Sequence, residues 1–154
     1  MLYLVLQLGA DRYAVEASQV IEVLPLVNLK QLPRAPAGVA GVFDYHGEPV
    51  PLVDLAALAL GRPSRKWMST RILAINYSPY PGVTKVLGLL AEQATETLIR
   101  SDDDFIDAGV SVTAAPYLGR VTTHAGNIVQ QIELQKLLSG SVRNLLFGEQ
   151  VGLA

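Results

Sequence analysis

The sequence predicts a mainly β protein built from small barrels. The chain has 154 residues, half of them hydrophobic, so one compact fold can bury roughly 68–70% of the unfolded surface. Its apolar runs are short, and Gly or Pro turns separate them. A weak internal repeat also relates the two halves of the chain. Many short strands with such turns favour barrels over an α/β sheet.

The first third of the chain alternates strand signals with tight turns. Val, Ile and Leu are frequent in the runs, as in strands generally. The predicted elements are a strand at 2–8, a turn at 9–12, a returning strand at 13–16, a short helical turn at 17–19, a strand at 20–24, a short strand or loop at 28–32 and a stiff connector with two prolines at 33–36.

The stretch 39–55, VAGVFDYHGEPVPLVDL, carries the strongest local signals. It predicts a strand, a tight turn at 44–47 and a returning strand, with Gly47 at a positive φ. Pro49 and Pro51 remove backbone donors from the returning strand. We therefore expect that strand to lie at a sheet edge or to be bulged.

The rest of the chain predicts one short helix, more strands and a terminal helix. Asp54 is a good N-cap for a helix at 55–60, and Gly61 is a natural stop. The following elements are a loop at 62–69, strands at 70–77, 84–91 and 95–100, an acidic loop at 101–107, strands at 117–123 and 127–132, and a helix at 132–138 ended by Gly140, after which the apolar tail is expected to dock.

The internal repeat predicts two similar halves. Residues 13–24, YAVEASQVIEVL, align with residues 87–98, LGLLAEQATETL. Each copy follows a strand-turn hairpin. The first half is expected to end near Ala59 and the second to begin near Thr70.

Composition disfavours several classes of function. Twelve basic and fourteen acidic residues give a formal net charge of −2 without a basic stripe, so we expect no nucleic-acid partner. Cys is absent, which removes thiol nucleophiles and thiolate metal sites and fits a cytoplasmic location. No window approaches the roughly 18 apolar residues of a membrane span, so we expect no membrane insertion.

The sequence predicts no catalytic, cofactor or metal site. No Ser lies in a G-x-S-x-G setting, and the Gly-containing run at 38–41 lacks the Lys of a phosphate loop. The aspartates at 102–104 and 107 lack the sixth-position Gly and final Glu of a calcium loop. His46 and His124 stand on distant turns with no ligand spacing. We therefore expect a protein without enzyme activity.

Five stretches share their order with a known family. They are LQLGADRYAVEASQVIEVL, LPRAPAGVAGV, HGEPVPLVDL, VLGLLAEQATETL and IELQKLL. In this order they resemble the CheW-like chemotaxis coupling proteins. There the corresponding stretches read as a strand-Gly-Tyr hairpin, V-x-E-V, P-x-x-P-x-x-x-x-G-V and R-G-x-x-x-P-V-x-D-L. The resemblance covers about residues 3–138.

The resemblance implies two intertwined small SH3-like β-barrels, each of about five strands, with a short C-terminal helix. It implies a single domain at 1–140, with barrel subdomains at about 15–69 and 70–132 that exchange terminal segments, and a tail at 141–154. It also explains the internal repeat.

The resemblance further implies a non-enzymatic adaptor. Its partners would be the regulatory domain of a CheA-type histidine kinase and the cytoplasmic tip of a chemoreceptor. The chain would associate with membranes only through those receptors. The residues expected at these partner surfaces are Val20, Glu22, Val23, Val39, His46, Gly47, Val50 and Pro51.

The turn tip departs from the family pattern. The family usually has Asn-x-Arg-Gly, where this chain has Asp44-Tyr45-His46-Gly47. Arg carries a permanent charge and five donors, whereas His titrates near neutrality. From the residues alone, His46 is either an ordinary turn residue or a partner contact, and Glu22 either a strand-surface charge or a contact. A competing class is a small-ligand-binding double barrel with an apolar groove between its halves.

Overall fold

Ten strands carry the fold in the described part of the chain. The computed structural model describes residues 1–148. The strands are β1 (Leu2–Leu8), β2 (Asp11–Glu16), β3 (Val20–Pro25), β4 (Val39–Tyr45), β5 (Glu48–Asp54), β6 (Arg71–Tyr80), β7 (Val83–Ala91), β8 (Gln93–Ile99), β9 (Leu118–His124) and β10 (Asn127–Ile132). The helices are α1 (Leu55–Leu60) and α2 (Gly140–Phe147), and 3₁₀ turns lie at Ala17–Gln19, Asp102–Asp104 and Leu134–Lys136. The predicted mainly β class is confirmed.

The strands form two five-stranded sheets of the same design. The first sheet has the order β8-β1-β2-β10-β9 and the second β3-β6-β7-β5-β4. The two orders correspond position by position, because each strand of one sheet is replaced in the other by the strand five places away in the chain. Each half therefore places its first hairpin in the sheet formed mainly by the other half. The two similar halves predicted from the repeat are thus visible, while the extents of the barrel subdomains stay a prediction.

The chain segment after an edge strand closes each sheet. After β3, Lys30 exchanges backbone hydrogen bonds with Val42 of β4, both of 2.8 Å. After β8, Ile106 does the same with Val121 of β9, both of 2.9 Å. Each bridge joins the segment that follows one edge strand to the opposite edge strand of the same sheet. Each sheet therefore forms a small barrel, as in the SH3-like folds that the resemblance implies.

Among residues 1–148, apolar side chains fill three separate clusters. One lies between the sheets and includes Leu6, Val53, Leu73 and Leu89. The other two lie within single sheets. The cluster of the first sheet is Tyr3, Val5, Ala14, Leu98, Phe105 and Val129, and that of the second is Phe43, Val50, Leu52, Ile72 and Leu90. The two barrels are therefore joined by burial of apolar surface.

The predicted position of the terminal helix is wrong. Residues 132–138 contain only a single 3₁₀ turn, and the helix instead occupies Gly140–Phe147. Ser139 starts this helix, because its hydroxyl accepts a hydrogen bond from the Val142 amide at 3.3 Å. The Phe147 ring stacks on Tyr77 with centroids 5.5 Å apart, so this part of the tail docks. Residues 149–154 of the predicted tail lie outside the described residues.

The strand that contains two prolines is not at an edge. β5 lies between β4 and β7 in the second sheet. Its pairing with β7 begins only at Leu52, beyond Pro49 and Pro51, so the prolines lie where no partner strand needs their missing donors. The bulge of this hairpin is in β4, between Val39 and Gly41.

Across residues 1–148, none of the helices combines the length and apolar character needed to cross a bilayer.

Candidate partner-binding surface

The β4–β5 hairpin ends in a two-residue turn at an exposed tip. His46 has φ 52° and Gly47 has φ 87°, and Tyr45 pairs with Glu48 on either side. Positive φ at both central residues defines a type I′ turn, which matches the twist of the strands. The Asp44 carboxylate accepts a hydrogen bond of 2.8 Å from the Gly47 amide. The positive φ predicted for Gly47 is confirmed.

Glu22 of β3 meets this tip. Its Oε1 accepts a hydrogen bond of 3.0 Å from the Tyr45 hydroxyl and lies 3.4 Å from Nε2 of His46. The Tyr45 and His46 rings pack edge to face, with centroids 4.4 Å apart. Partial desolvation, followed by the bond to the Glu22 carboxylate, raises the pKa of the Tyr45 hydroxyl. The three side chains form a polar cluster across the two edge strands of the second sheet.

Apolar side chains extend from this cluster along β3. Ile21 and Val23 are 45% and 43% exposed. β3 pairs with β6 on one side only, and among residues 1–148 no strand covers its other edge. An edge strand with exposed apolar side chains is a surface on which another protein can dock. We call Ile21, Glu22, Val23, Tyr45, His46 and Gly47 the tip surface.

Half of the residues expected at partner surfaces lie outside the tip surface. Val50 is 4% exposed and belongs to the cluster within the second sheet. Val20 is half-buried against the cluster between the sheets. Val39 and Pro51 are also half-buried. The structure therefore brings Glu22, Val23, His46 and Gly47 together, and it leaves Val20, Val39, Val50 and Pro51 out of the tip surface.

Sequence reasoning did not select Tyr45 or Ile21. Tyr45 lies next to His46 in the turn, and an aromatic residue in an exposed turn was the available signal. Ile21 stands where the pairing of β3 with β6 shifts register, between Val20 and Glu22. A bulge changes which side chains face out, and the sequence pattern alone does not reveal it.

A second candidate surface is the groove between the two barrels. Its volume is about 310 Å³. Val39, Val53 and Leu58 line one wall, and the opposite wall includes Tyr117, Leu137, Leu138 and Val142. The groove is mainly apolar and of a size to accept a few side chains of a partner or a small ligand.

The remaining charged groups of interest have structural roles. Asp54 caps α1 by accepting hydrogen bonds from the amides of Ala56 at 3.0 Å and Ala57 at 3.3 Å, as predicted. Asp102 pairs with Arg120, and Asp104 accepts a hydrogen bond from the Ser101 amide. Within residues 1–148, no three His, Cys, Asp or Glu side chains are arranged to hold a metal ion.

Comparisons with known proteins agree with this fold. The family model of the CheW-like domain matches residues 2–142. The crystal structure of the scaffolding protein TtCheW from Thermoanaerobacter tengcongensis is similar, with a TM-score of 0.77 and 19% sequence identity over 90% of this chain and 89% of that chain. Among curated proteins, none matches this sequence significantly.

Proposed function

The chain belongs to the CheW-like domain family, and we therefore propose that it is a cytoplasmic adaptor coupling chemoreceptors to a CheA-type histidine kinase. The adaptor would be non-enzymatic and act by binding alone. The observation that carries the proposal is the tip surface. It combines an unpaired strand edge, exposed apolar side chains and a polar cluster on one face.

The tip surface would receive the regulatory domain of the kinase. Ile21 and Val23 supply exposed apolar contacts, and the Glu22, Tyr45 and His46 cluster supplies donors and acceptors beside them. Interfaces of this kind have an apolar centre and a polar rim. A few apolar anchors on a small surface give transient binding, on the order of micromolar.

The groove between the barrels would receive the tip of the receptor. A receptor's helical hairpin presents apolar side chains at helical spacing, and the groove offers apolar walls from both halves of the chain. Because residues of both halves line this groove, a bound receptor would contact both barrels. Receptor binding would then favour one of two packing arrangements of the complex over the other, and this chain would carry out no chemical step.

His46 distinguishes the tip from the usual family pattern. Its side chain is 71% exposed and contacts Glu22, so it is available to a partner. It cannot supply the permanent charge and forked donors of Arg. We therefore propose that the chain serves a dedicated receptor and kinase whose surfaces match this turn.

A binding titration tests the proposal. The regulatory domain of each CheA-type kinase from the same genome is titrated into the wild-type protein and into Val23→Asp. We expect saturable binding to one kinase and at least about a tenfold loss with Val23→Asp, because it buries a charge at the contact. Val83→Asp is the matched control, since Val83 is also an exposed strand residue of the second sheet, at 37%.

Unchanged affinity of a folded Val23→Asp variant would remove the tip surface from the kinase contact. Absence of binding to every kinase would favour the second candidate function, a small-ligand-binding double barrel. The apolar groove of about 310 Å³ supports that alternative. A saturable thermal shift with a metabolite, together with no kinase binding, would establish it.

A further inference from the structure

The loop between α1 and β6 is an ordered feature that the proposed function does not use. Three buried residues hold it, each at most 5% exposed: Asp54, Thr70 and Glu92. The hydrogen bonds run from Ser64 N to the Asp54 carboxylate at 2.7 Å, from Trp67 N to Thr70 Oγ1 at 3.0 Å and from Ser69 Oγ to the Glu92 carbonyl at 3.0 Å. Three of the four buried polar or charged residues in the described part of the chain thus fix this loop.

An ion pair adds a further anchor. Arg62 NH1 lies 2.7 Å from Oε1 of Glu92, whose side chain is 2% exposed. The two groups are close but are not aligned for a hydrogen bond, because neither carboxylate oxygen of Glu92 has a hydrogen-bond partner among residues 1–148. Arg62 therefore compensates the buried charge by proximity. Its positive charge is used within the molecule.

The loop presents apolar and basic side chains together. Met68 is 96% exposed and Trp67 43% exposed. The Arg65 guanidinium lies 5.3 Å from the Trp67 ring centroid, and Lys66 is exposed beside it. Within residues 1–148, neither Arg65 nor Lys66 forms a salt bridge. We call these four residues the basic loop surface. Trp, Met and Arg are enriched at protein interfaces.

The charges of the chain are segregated around this loop. Residues 55–91 contain five Lys or Arg and no Asp or Glu. Residues 92–107 contain six Asp or Glu and one Arg. The segment that follows the basic loop surface in sequence therefore carries the opposite charge.

The acidic segment ends in a surface of matching chemistry. Asp103 is exposed and, among residues 1–148, forms no salt bridge. Ile99 and Ile106, close to it in the chain, are 73% and 66% exposed. We call Ile99, Asp103 and Ile106 the acidic surface. Like the basic loop surface, it combines exposed apolar side chains with free charge.

The length of strand β8 separates the two surfaces within one molecule. The basic loop surface is held at Glu92, directly before β8, and the acidic surface begins at Ile99, the last residue of β8. A strand of seven residues spans about 20 Å at its usual rise. We propose that the basic loop surface docks onto the acidic surface of a second copy of this chain. The contact is head to tail, so it generates a ring or an open row of copies.

Self-association through these surfaces is weak and sensitive to salt. The charged groups are exposed, and salt screens exposed charges over about 10 Å at 0.1 M ionic strength. The apolar part is small, because Met68 and Trp67 are its only large side chains on the basic loop surface. Charge complementarity then mainly selects the partner and its orientation.

Sedimentation of the full chain tests the proposal. We expect the mean mass to rise above the 16.5 kDa monomer with concentration at about 50 mM salt, and to return to it at about 500 mM. Lys66→Glu, Asp103→Lys and Met68→Asp each weaken association at least about fivefold, since each places repulsion or a desolvated charge in the contact. Met68 is 96% exposed, so its substitution does not disturb the fold.

A mixture of variants provides the control. In an equal mixture of Lys66→Glu and Asp103→Lys, each contact between unlike copies again joins opposite charges, so association recovers. A monomer at every concentration in low salt overturns the proposal. So does association that the three variants leave unchanged, or a mixture no more associated than its components. The tip surface is not part of this contact, so kinase binding is tested separately.

Discussion

At the scale of single residues, the β4–β5 turn is determined by local sequence, whereas the contacts of its side chains are determined by tertiary structure. The type I′ turn follows from His46 and Gly47 at positive φ, and Asn, Asp and His are the non-Gly residues that best tolerate it. The Gly at this position was sufficient to predict the turn. The contact of Glu22 with Tyr45 and His46 was not predictable, because these residues are 23 and 24 positions away from Glu22 in sequence and meet it only when the barrel closes.

Gly47→Ala tests the turn. Gly47 has φ 87° and nothing lies within 4 Å of an added Cβ, so the cost is backbone strain without a clash. We expect the free energy of unfolding to fall by about 1 kcal/mol, measured by urea denaturation. His46→Asn is the control, because Asn also tolerates positive φ, and its effect should stay within about 0.5 kcal/mol. An equal loss in both variants would contradict this account of the turn.

At the scale of elements, closure of the second barrel depends on one close approach. The chain after β3 crosses β4 so that a Cβ on Gly41 would lie 2.4 Å from the Lys30 carbonyl oxygen. That oxygen accepts the Val42 amide, so it cannot move without breaking the bridge. The sequence predicted the hairpin but not this crossing, since nothing local to Gly41 indicates that residue 30 returns to it.

Gly41→Ala therefore opens the barrel or strains it. Gly41 also has φ 146°, so Ala would meet both a backbone clash and an unfavourable conformation. We expect a loss of more than about 2 kcal/mol in the free energy of unfolding. Gly140→Ala is the matched control in α2, where Ala favours helix and is expected to be neutral or stabilising by up to about 1 kcal/mol. A Gly41→Ala protein as stable as wild type would refute the close approach.

Element prediction was weakest at the C-terminus. The apolar run at 132–138 has helical spacing, but Leu134, Leu137 and Leu138 are buried against the cluster between the sheets by a 3₁₀ turn and an irregular segment. Ser139 then starts the helix where Gly140 was expected to end one. Gly is enriched just past helix ends, so the sequence favoured a stop at Gly140, and only tertiary packing explains why a helix begins there.

At the scale of the whole molecule, the sheets explain the repeat. The two sheet orders differ only by a shift of five strands, and each half contributes its first hairpin to the other sheet. The sequence predicted the two halves from residues 13–24 and 87–98, and the resemblance supplied the exchange. The sequence did not reveal which side chains remain exposed after the exchange. Val50, for example, was expected at a partner surface but is only 4% exposed.

Buried tyrosines make the molecule sensitive to alkali. Burial is the main cause that raises the pKa of Tyr3, Tyr77 and Tyr117 above 10.0. The neutral Tyr hydroxyls make their full contribution to the stability of the folded state below the unfolded Tyr pKa. As the pH rises above about 10, the unfolded state ionises more readily than the folded state, and this contribution is lost. We expect thermal stability to fall steeply above that pH, with the absorbance of ionised Tyr appearing together with unfolding. Ionisation of all tyrosines at an ordinary pKa in a folded protein would contradict the burial.

The proposed role of the tip surface is to bind the kinase. The most direct measurement follows the backbone amide resonances of the ¹⁵N-labelled protein during titration with the kinase regulatory domain. We expect saturable changes that are largest at Ile21, Glu22, Val23 and residues 45–47, with small changes along β7 and α2. Saturable changes that avoid β3 and the β4–β5 turn would contradict it, and so would a titration that leaves every resonance in place.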